Sequence, residues 1–314
     1  MGFLNTNVED RKKILEVLIK KYPDIIYNLM YGLIKTKHDT AFHLPRPKWR
    51  LFSELRKIEV TNREVHYMRG FCLDNVIAMS NGNINRLLSL IDLLDDIEWD
   101  RIEKSLGVIE EAIDTVSENE KKNIYHKFRA FIGNHRSYPN AHWSLPKSIL
   151  DKIEKTALKF KLDDILNDSY LFEEHHPEFI EGKLGDDFRK HQQHIDDKRL
   201  EFVEAVKGKF GIDKIFELAE HTKYPFFYGQ MLAKSDKLTE QETTAVYKLV
   251  SSKEENLIIL VTDFIRFSER KTDLKTQIEI LNKLETSNKE KLTFFIALNS
   301  SLELWTYING LEDE

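Results

Sequence analysis

The chain has 314 residues, with 47 Lys+Arg against 53 Asp+Glu, 32% charged and 41% hydrophobic residues, and only 12 Gly and 7 Pro, about 6% of its length where average usage supplies roughly 12%. That scarcity argues against turn-dense all-β folds and Gly-punctuated α/β folds, while the single Cys72 excludes an internal disulfide or a Cys-x-x-Cys site and fits a reducing compartment. A net charge of −6 argues against general nucleic-acid binding, no apolar secretory region opens the chain, and the most apolar stretch, Leu257 to Phe267, is about half a membrane span and contains Asp263 and Arg266, so a cytoplasmic location is expected.

Helical signals follow one another along the chain. Val8 to Lys21 is amphipathic, and Pro23 opens a second helix through Leu33, where its missing N–H costs little. Thr61-x-x-Glu64 is a capping box ahead of a helix predicted over Val65 to Met79, and Gly82 suits the turn into a further helix from Ile84 to Leu94. Periodicity then predicts helices over Ile102 to Val116, Lys121 to Ile132, and Ser148 to Leu162 after Pro146. Asp186 to Phe210 reads as one long helix stopped by Gly211. Shorter ones follow over 212–221, 225–234, 240–252 (opened by the box Thr239-x-x-Glu242), 254–268, 272–285, 288–299 and 301–309.

Most of these are joined by a few residues, so neighbours are expected to be antiparallel. About fourteen helices without period-2 strands give an all-α reading: helical pairs stacked as a HEAT/TPR-like α-solenoid, a single array over residues 1–314. No strict repeat supports it, and the TPR signature does not recur. Two insertions interrupt the series, at about 37–51 and 135–146.

The first insertion holds His38-Asp-Thr-Ala-Phe-His-Leu-Pro-Arg-Pro-Lys-Trp-Arg50. Pro45 and Pro47 favour extended backbone, which sends Arg46, Lys48 and Arg50 to one side and Trp49 to the other. This is a candidate anion or partner contact, or else Trp49 is a packing anchor between helices. Residues 35–57 are locally basic, with seven Lys and Arg against Asp39 and Glu54, the one feature that favours nucleic acid. His38-Asp39 also brings to mind metal phosphohydrolases of HD type, but no upstream His completes the ligand set.

The second insertion gathers His135, Arg136, Tyr138, His142 and Trp143 ahead of a Pro-opened helix. It is either a small pocket for an anion at that helix N-terminus, or a loop folded back with Tyr138 and Trp143 buried and Arg136 bonding helix-end carbonyls. His135, Arg136 and Trp143 join Arg46, Lys48, Trp49 and Arg50 as candidate binding residues. The remaining histidines concentrate at His175, His176, His191 and His194, and on a helix Asp187, His191 and His194 share a face. A metal-dependent hydrolase using that region is the alternative reading, although neither His-Glu-x-x-His nor a Cys ligand supports it. No phosphate loop, dinucleotide fingerprint or nucleophile elbow is present, so no catalytic residue and no cofactor is assigned.

The succession of both insertions, then FCLDNVIAMSNGNINRLLSLID, SYLFEEHHPEF and LEFVEAVKGKFGIDKIFELAE, resembles a region of very large bacterial STAND-type NTPases found in antiviral defence loci. The resemblance covers roughly residues 20–235. It implies the helical sensor or scaffold part of such a protein, separated from NTPase and effector modules that a companion chain would supply. No catalytic residue carries over. The combined expectation is a non-catalytic helical module that recognises a protein partner.

Overall fold

The computed structural model describes residues 8–35, 61–183, 187–268, 273–283, 288–298 and 302–311. The described residues form helices and turns, with no strand among them. They divide into two compact units, one ending at Lys161 and the other beginning at Leu162.

The first unit contains α1 (Val8–Lys21), α2 (Pro23–Lys35), α3 (Asn62–Ser80), α4 (Ile84–Ile91), α5 (Trp99–Glu111), α6 (Glu118–Ser137) and α7 (Lys147–Lys159), with a 3₁₀ turn at Ala112–Asp114. Each helix presents one apolar stripe inward. Ile26, Met30 and Ile34 of α2 and Ile124, Phe128 and Ile132 of α6 recur every fourth residue and are buried, as a helix on a core requires. Helix α3 packs on α2, α4 and α5, and α6 packs on α4 and α7. The predicted box at Thr61 forms: its hydroxyl receives the Glu64 N–H at 3.3 Å and the Glu64 carboxylate receives the Thr61 N–H at 2.9 Å. Gly82 adopts φ +73°, the left-handed value that turns the chain from α3 into α4.

Several boundaries differ from the expectation; α5, for one, spans Trp99–Glu111 where Ile102 to Val116 is expected. Helix α6 was expected over Lys121 to Ile132, but it begins three residues earlier on a capping box at Ser117 and Glu120 and continues to Ser137. His135 and Arg136 therefore stand in its last turn, and the irregular segment starts at Tyr138. Helix α4 stops at Ile91 because Leu93, Leu94 and Asp96 close tight turns by bonding carbonyls three residues back.

The second unit contains a 3₁₀ segment (Ile165–Phe172) that periodicity did not indicate, then α8 (Phe188–Phe210), α9 (Ile212–His221), α10 (Phe226–Lys234), α11 (Glu240–Tyr247), α12 (Glu255–Ser268), α13 (Leu274–Lys283), α14 (Asn288–Ala297) and α15 (Leu302–Leu311). Its core centres on Phe172 stacked on Tyr228, with ring centroids 3.8 Å apart and planes 13° from parallel, and Phe202 tilted against Phe172. Gly211 takes φ +84° and separates α8 from α9. Helices α10 and α12 approach so closely at Gly229 that a Cβ there would lie 2.1 Å from the Leu260 carbonyl oxygen, so only glycine permits the crossing. Asn256, in the first turn of α12, donates to the Glu220 and Thr222 carbonyls and satisfies the end of α9.

Candidate functional site

The first insertion, with Arg46, Lys48, Trp49 and Arg50, lies outside the described residues. The second is described in full, and its geometry starts from α6. His135 is 2% exposed, and its Nδ1 accepts the Leu145 N–H at 3.1 Å across the segment that follows it. The Ser144 hydroxyl donates to the His135 carbonyl at 2.9 Å, which ties the same turn a second time. The imidazole is packed against Phe131 at 4.5 Å and meets Trp143 edge-on at 5.2 Å. An accepting Nδ1 requires the Nε2–H tautomer of a neutral ring. Burial pushes the imidazole below its ordinary value, with the Asp95 carboxylate acting the other way.

Arg136 faces a different neighbour. Its Nη2 reaches the Asp151 carboxylate at 2.9 Å and the Glu154 carboxylate at 2.7 Å, both on α7. Burial works against the charge, but these bonds outweigh it and leave the guanidinium above its ordinary value. The residues flagged by sequence thus separate into roles: His135 fastens the segment, Arg136 clamps α6 to α7, and Trp143 is half-buried beside Tyr138, at 6.0 Å. The folded-back alternative expected Tyr138 to be buried, yet it is 45% exposed, and Arg136 bonds carboxylates where helix-end carbonyls were expected.

The histidine region of the second unit does not assemble a metal shell. Asp187 is the N-cap of α8, and its Oδ1 accepts the Arg189 N–H at 2.9 Å. His191 is buried and, with His194, is turned edge-on to Phe179. His175 and His176 hydrogen-bond each other, Nδ1 to Nε2, at 3.0 Å. Among the described residues no three His, Cys, Asp or Glu side chains are placed to hold one ion.

What that region does assemble is an aromatic surface on a buried cation. Arg199 of α8 is fully buried; its Nε donates to the Leu171 carbonyl at 2.8 Å and its Nη2 to those of Glu174 and His175 at 3.0 and 3.1 Å. Its other face lies on the Phe227 ring, 3.3 Å from the centroid. Burial pushes the guanidinium down to about 10, opposed by Asp196, so it stays charged at neutral pH. Above this anchor His175 meets Tyr224 edge-on at 5.7 Å, Tyr224 meets Phe226 at 5.9 Å, and His176 meets Phe188 at 6.3 Å. Phe188 is 68% exposed, and His175 and His176 are exposed.

Arg199 and the Tyr224 to Phe227 rings were not singled out from sequence. A usable signal existed: Arg199 falls within the stripe Ile195, Phe202, Val206 on the buried side of α8. A basic residue in an apolar stripe marks a buried bonding duty.

A groove of about 470 Å³ in the first unit runs between α3 and α5, lined by Ile77, Ala78, Gly107 and Val108 with Asp74, Lys104 and Glu111. Asp74 is engaged by Arg101 at 3.3 Å and approached by Lys104 at 3.9 Å. The nearby Cys72 is buried and its thiol is pushed up to about 11, which makes it a packing residue and not a nucleophile. No helix among the described residues is long and apolar enough to cross a membrane. Comparison with protein-family models, with curated proteins and with solved structures finds no match for the chain.

Proposed function

We propose that the chain is a non-catalytic helical scaffold that recognises a protein partner, its helical pairs stacked in the manner of a solenoid. One observation carries this reading: the exposed rings of Phe188, His175 and His176, backed by the half-buried rings of Tyr224 and Phe226 and held in fixed mutual geometry above the buried Arg199. Large rings with few rotatable bonds supply contact area at low entropic cost, and such anchors dominate binding hot spots. Phe188 is 68% exposed beside these rings, and exposed apolar groups gathered in one place are a usual mark of an interaction face.

The resemblance to STAND-type proteins extends the reading to bacterial antiviral defence in the cytoplasm, with a companion NTPase or effector chain; this extension rests on the sequence alone. The test uses the purified full chain. Affinity selection with wild type and with Phe188→Ser, at the exposed ring, identifies proteins lost from the variant, and each is then titrated as a purified binary pair. The expected result is a Kd raised by at least ~30-fold, about 2 kcal/mol, with an unchanged melting temperature. A partner bound equally by both chains overturns the assignment of this surface.

A further inference from the structure

Among its described residues the first unit carries a second exposed apolar face, on the hairpin of α1 and α2. Val17 is 64% exposed, Ile25 67%, Tyr22 44%, Ile14 42% and Leu29 38%. Ile14 and Val17 are three apart and Ile25 and Leu29 four apart, so each pair forms one line along its helix. The opposite side of the hairpin supplies Leu15, Ile26, Met30 and Ile34 to the core. Among the described residues the exposed line thus lies away from the core.

The geometry points to a second copy of this chain as what covers it, through an antiparallel α1–α1 contact about a two-fold axis. The first turn of α1 is acidic, with Glu9 and Asp10, and its last turn is basic, with Lys20 and Lys21; all four are exposed. A two-fold axis midway between Ile14 and Val17 stacks Ile14 of one copy on Val17 of the other. It also lays the acidic turn of each copy along the basic turn of its mate. Because a two-fold contact uses the same patch twice, each favourable pairing occurs twice. An anionic lipid surface fits less well, since the hairpin's charge is mixed, with Glu9, Asp10, Glu16 and Asp24 interspersed among its six Lys and Arg, and the whole chain is negative. The inference is independent of the aromatic surface on the second unit: dimerisation and partner binding are read by separate measurements.

Sedimentation equilibrium of the full chain tests it, with a thermal melt of each variant to confirm folding. Wild type is expected to pass from monomer to dimer with rising concentration. Val17→Asp and Ile25→Asp sit at exposed positions and should weaken the dimer at least ten-fold, about 1.4 kcal/mol, with unchanged melting. Lys20→Glu/Lys21→Glu alone and Glu9→Lys/Asp10→Lys alone should each weaken it. Mixing those two chains should restore a dimer containing one of each, because every juxtaposition is again of opposite sign. A wild-type chain that stays monomeric throughout overturns the inference and gives the stripe to a different protein. A dimer insensitive to Val17→Asp, or a mixture that fails to re-form dimer, overturns it equally.

Discussion

Two irregular segments, 138–146 in the first unit and 171–175 in the second, are each fastened from behind by one buried basic side chain, yet in opposite senses. His135 accepts an N–H from Leu145, whereas Arg199 donates to three carbonyls at 171, 174 and 175. The side chain matches what the backbone leaves over. A segment folding back onto a helix end presents an unpaired N–H, and a neutral imidazole nitrogen takes it. A segment leaving a 3₁₀ turn presents a fan of carbonyls, and only a planar fork with several donors serves them together. The consequence is chemical: one fastening fails when a proton arrives, and the other is indifferent to pH until far into the alkaline range.

The sharpest way to break the comparison is to remove the stronger fastening. Arg199→Ala strands the buried Leu171 carbonyl and the part-buried carbonyls of Glu174 and His175 and leaves a void beside Phe227, and it should cost about 3–5 kcal/mol in denaturant unfolding. Arg199→Lys retains the charge but not the fork, and it should recover less than half of that loss. If Lys were equivalent, charge and not geometry would be holding the segment. Limited proteolysis within 173–177 should accelerate in both variants, because the three carbonyls lose their donors before the rest of the unit unfolds.

Removing the weaker fastening should cost less and introduce pH. His135→Ala leaves the part-buried Leu145 N–H without its acceptor, an expected loss of about 1–3 kcal/mol. The folded imidazole lies below its ordinary value of 6.5, so the unfolded chain takes up a proton first as pH falls. The stability it contributes is complete above about 6.5 and is lost as pH drops toward the depressed folded value. His176 and His191 are also depressed by burial and slope the same way, so the diagnostic is a difference between variants. His135→Asn keeps an acceptor near the Nδ1 position and cannot titrate. It should preserve most of the stability at neutral pH and flatten the wild-type slope below 6.5. Trp143 lies edge-on to the imidazole, so its emission should report the protonation in wild type and be silent in His135→Asn. An unchanged slope in that variant would show that His135 does not set the acid response.

Much of the helical plan was legible because local chemistry dictates it. The boxes at Thr61 and Thr239, the stop at Gly211 and the turn at Gly82 act through their own backbone, and they form as read. The run of α6 past Ile132 was not legible. His135 and Arg136 resemble loop residues in sequence and become helical because Leu145, Asp151 and Glu154, distant in sequence, engage them. The 3₁₀ segment at 165–172 escaped for the same reason: Arg199 and the Thr222 hydroxyl donate to its Leu171 and Phe172 carbonyls from 28 and 50 residues away. The aromatic surface depends on that arrangement, so only its parts, His175 and His176, could be found from sequence. The two-glycine contrast is instructive too: Gly211 is announced by helix termination, but Gly229 sits mid-helix and its necessity lies in the Leu260 carbonyl opposite.

The smallest expected effect bears on which of the sequence-flagged residues are free to bind. Arg136 follows His135 directly, yet its two carboxylate partners are on α7 and partly exposed, Asp151 by 44% and Glu154 by 27% of their side-chain surface. Solvent screens such pairs and ordering the side chains opposes them, so Arg136→Ala should cost only about 0.5–1 kcal/mol, less still at high salt. That is well below the cost at His135, one residue earlier, because the neighbouring duty is performed in water's presence and not in the core. The pairing predicts that Asp151→Asn/Glu154→Gln removes most of the effect of Arg136→Ala. A binding contact would behave otherwise: Arg136→Ala would leave stability untouched and weaken a partner whether or not Asp151 and Glu154 were neutralised. Melting curves for the four combinations, taken at low and high salt, separate the two roles. Non-additivity in stability that fades with salt assigns Arg136 to the joint between α6 and α7, which leaves Tyr138, His142 and Trp143 as the part of this segment available to a partner.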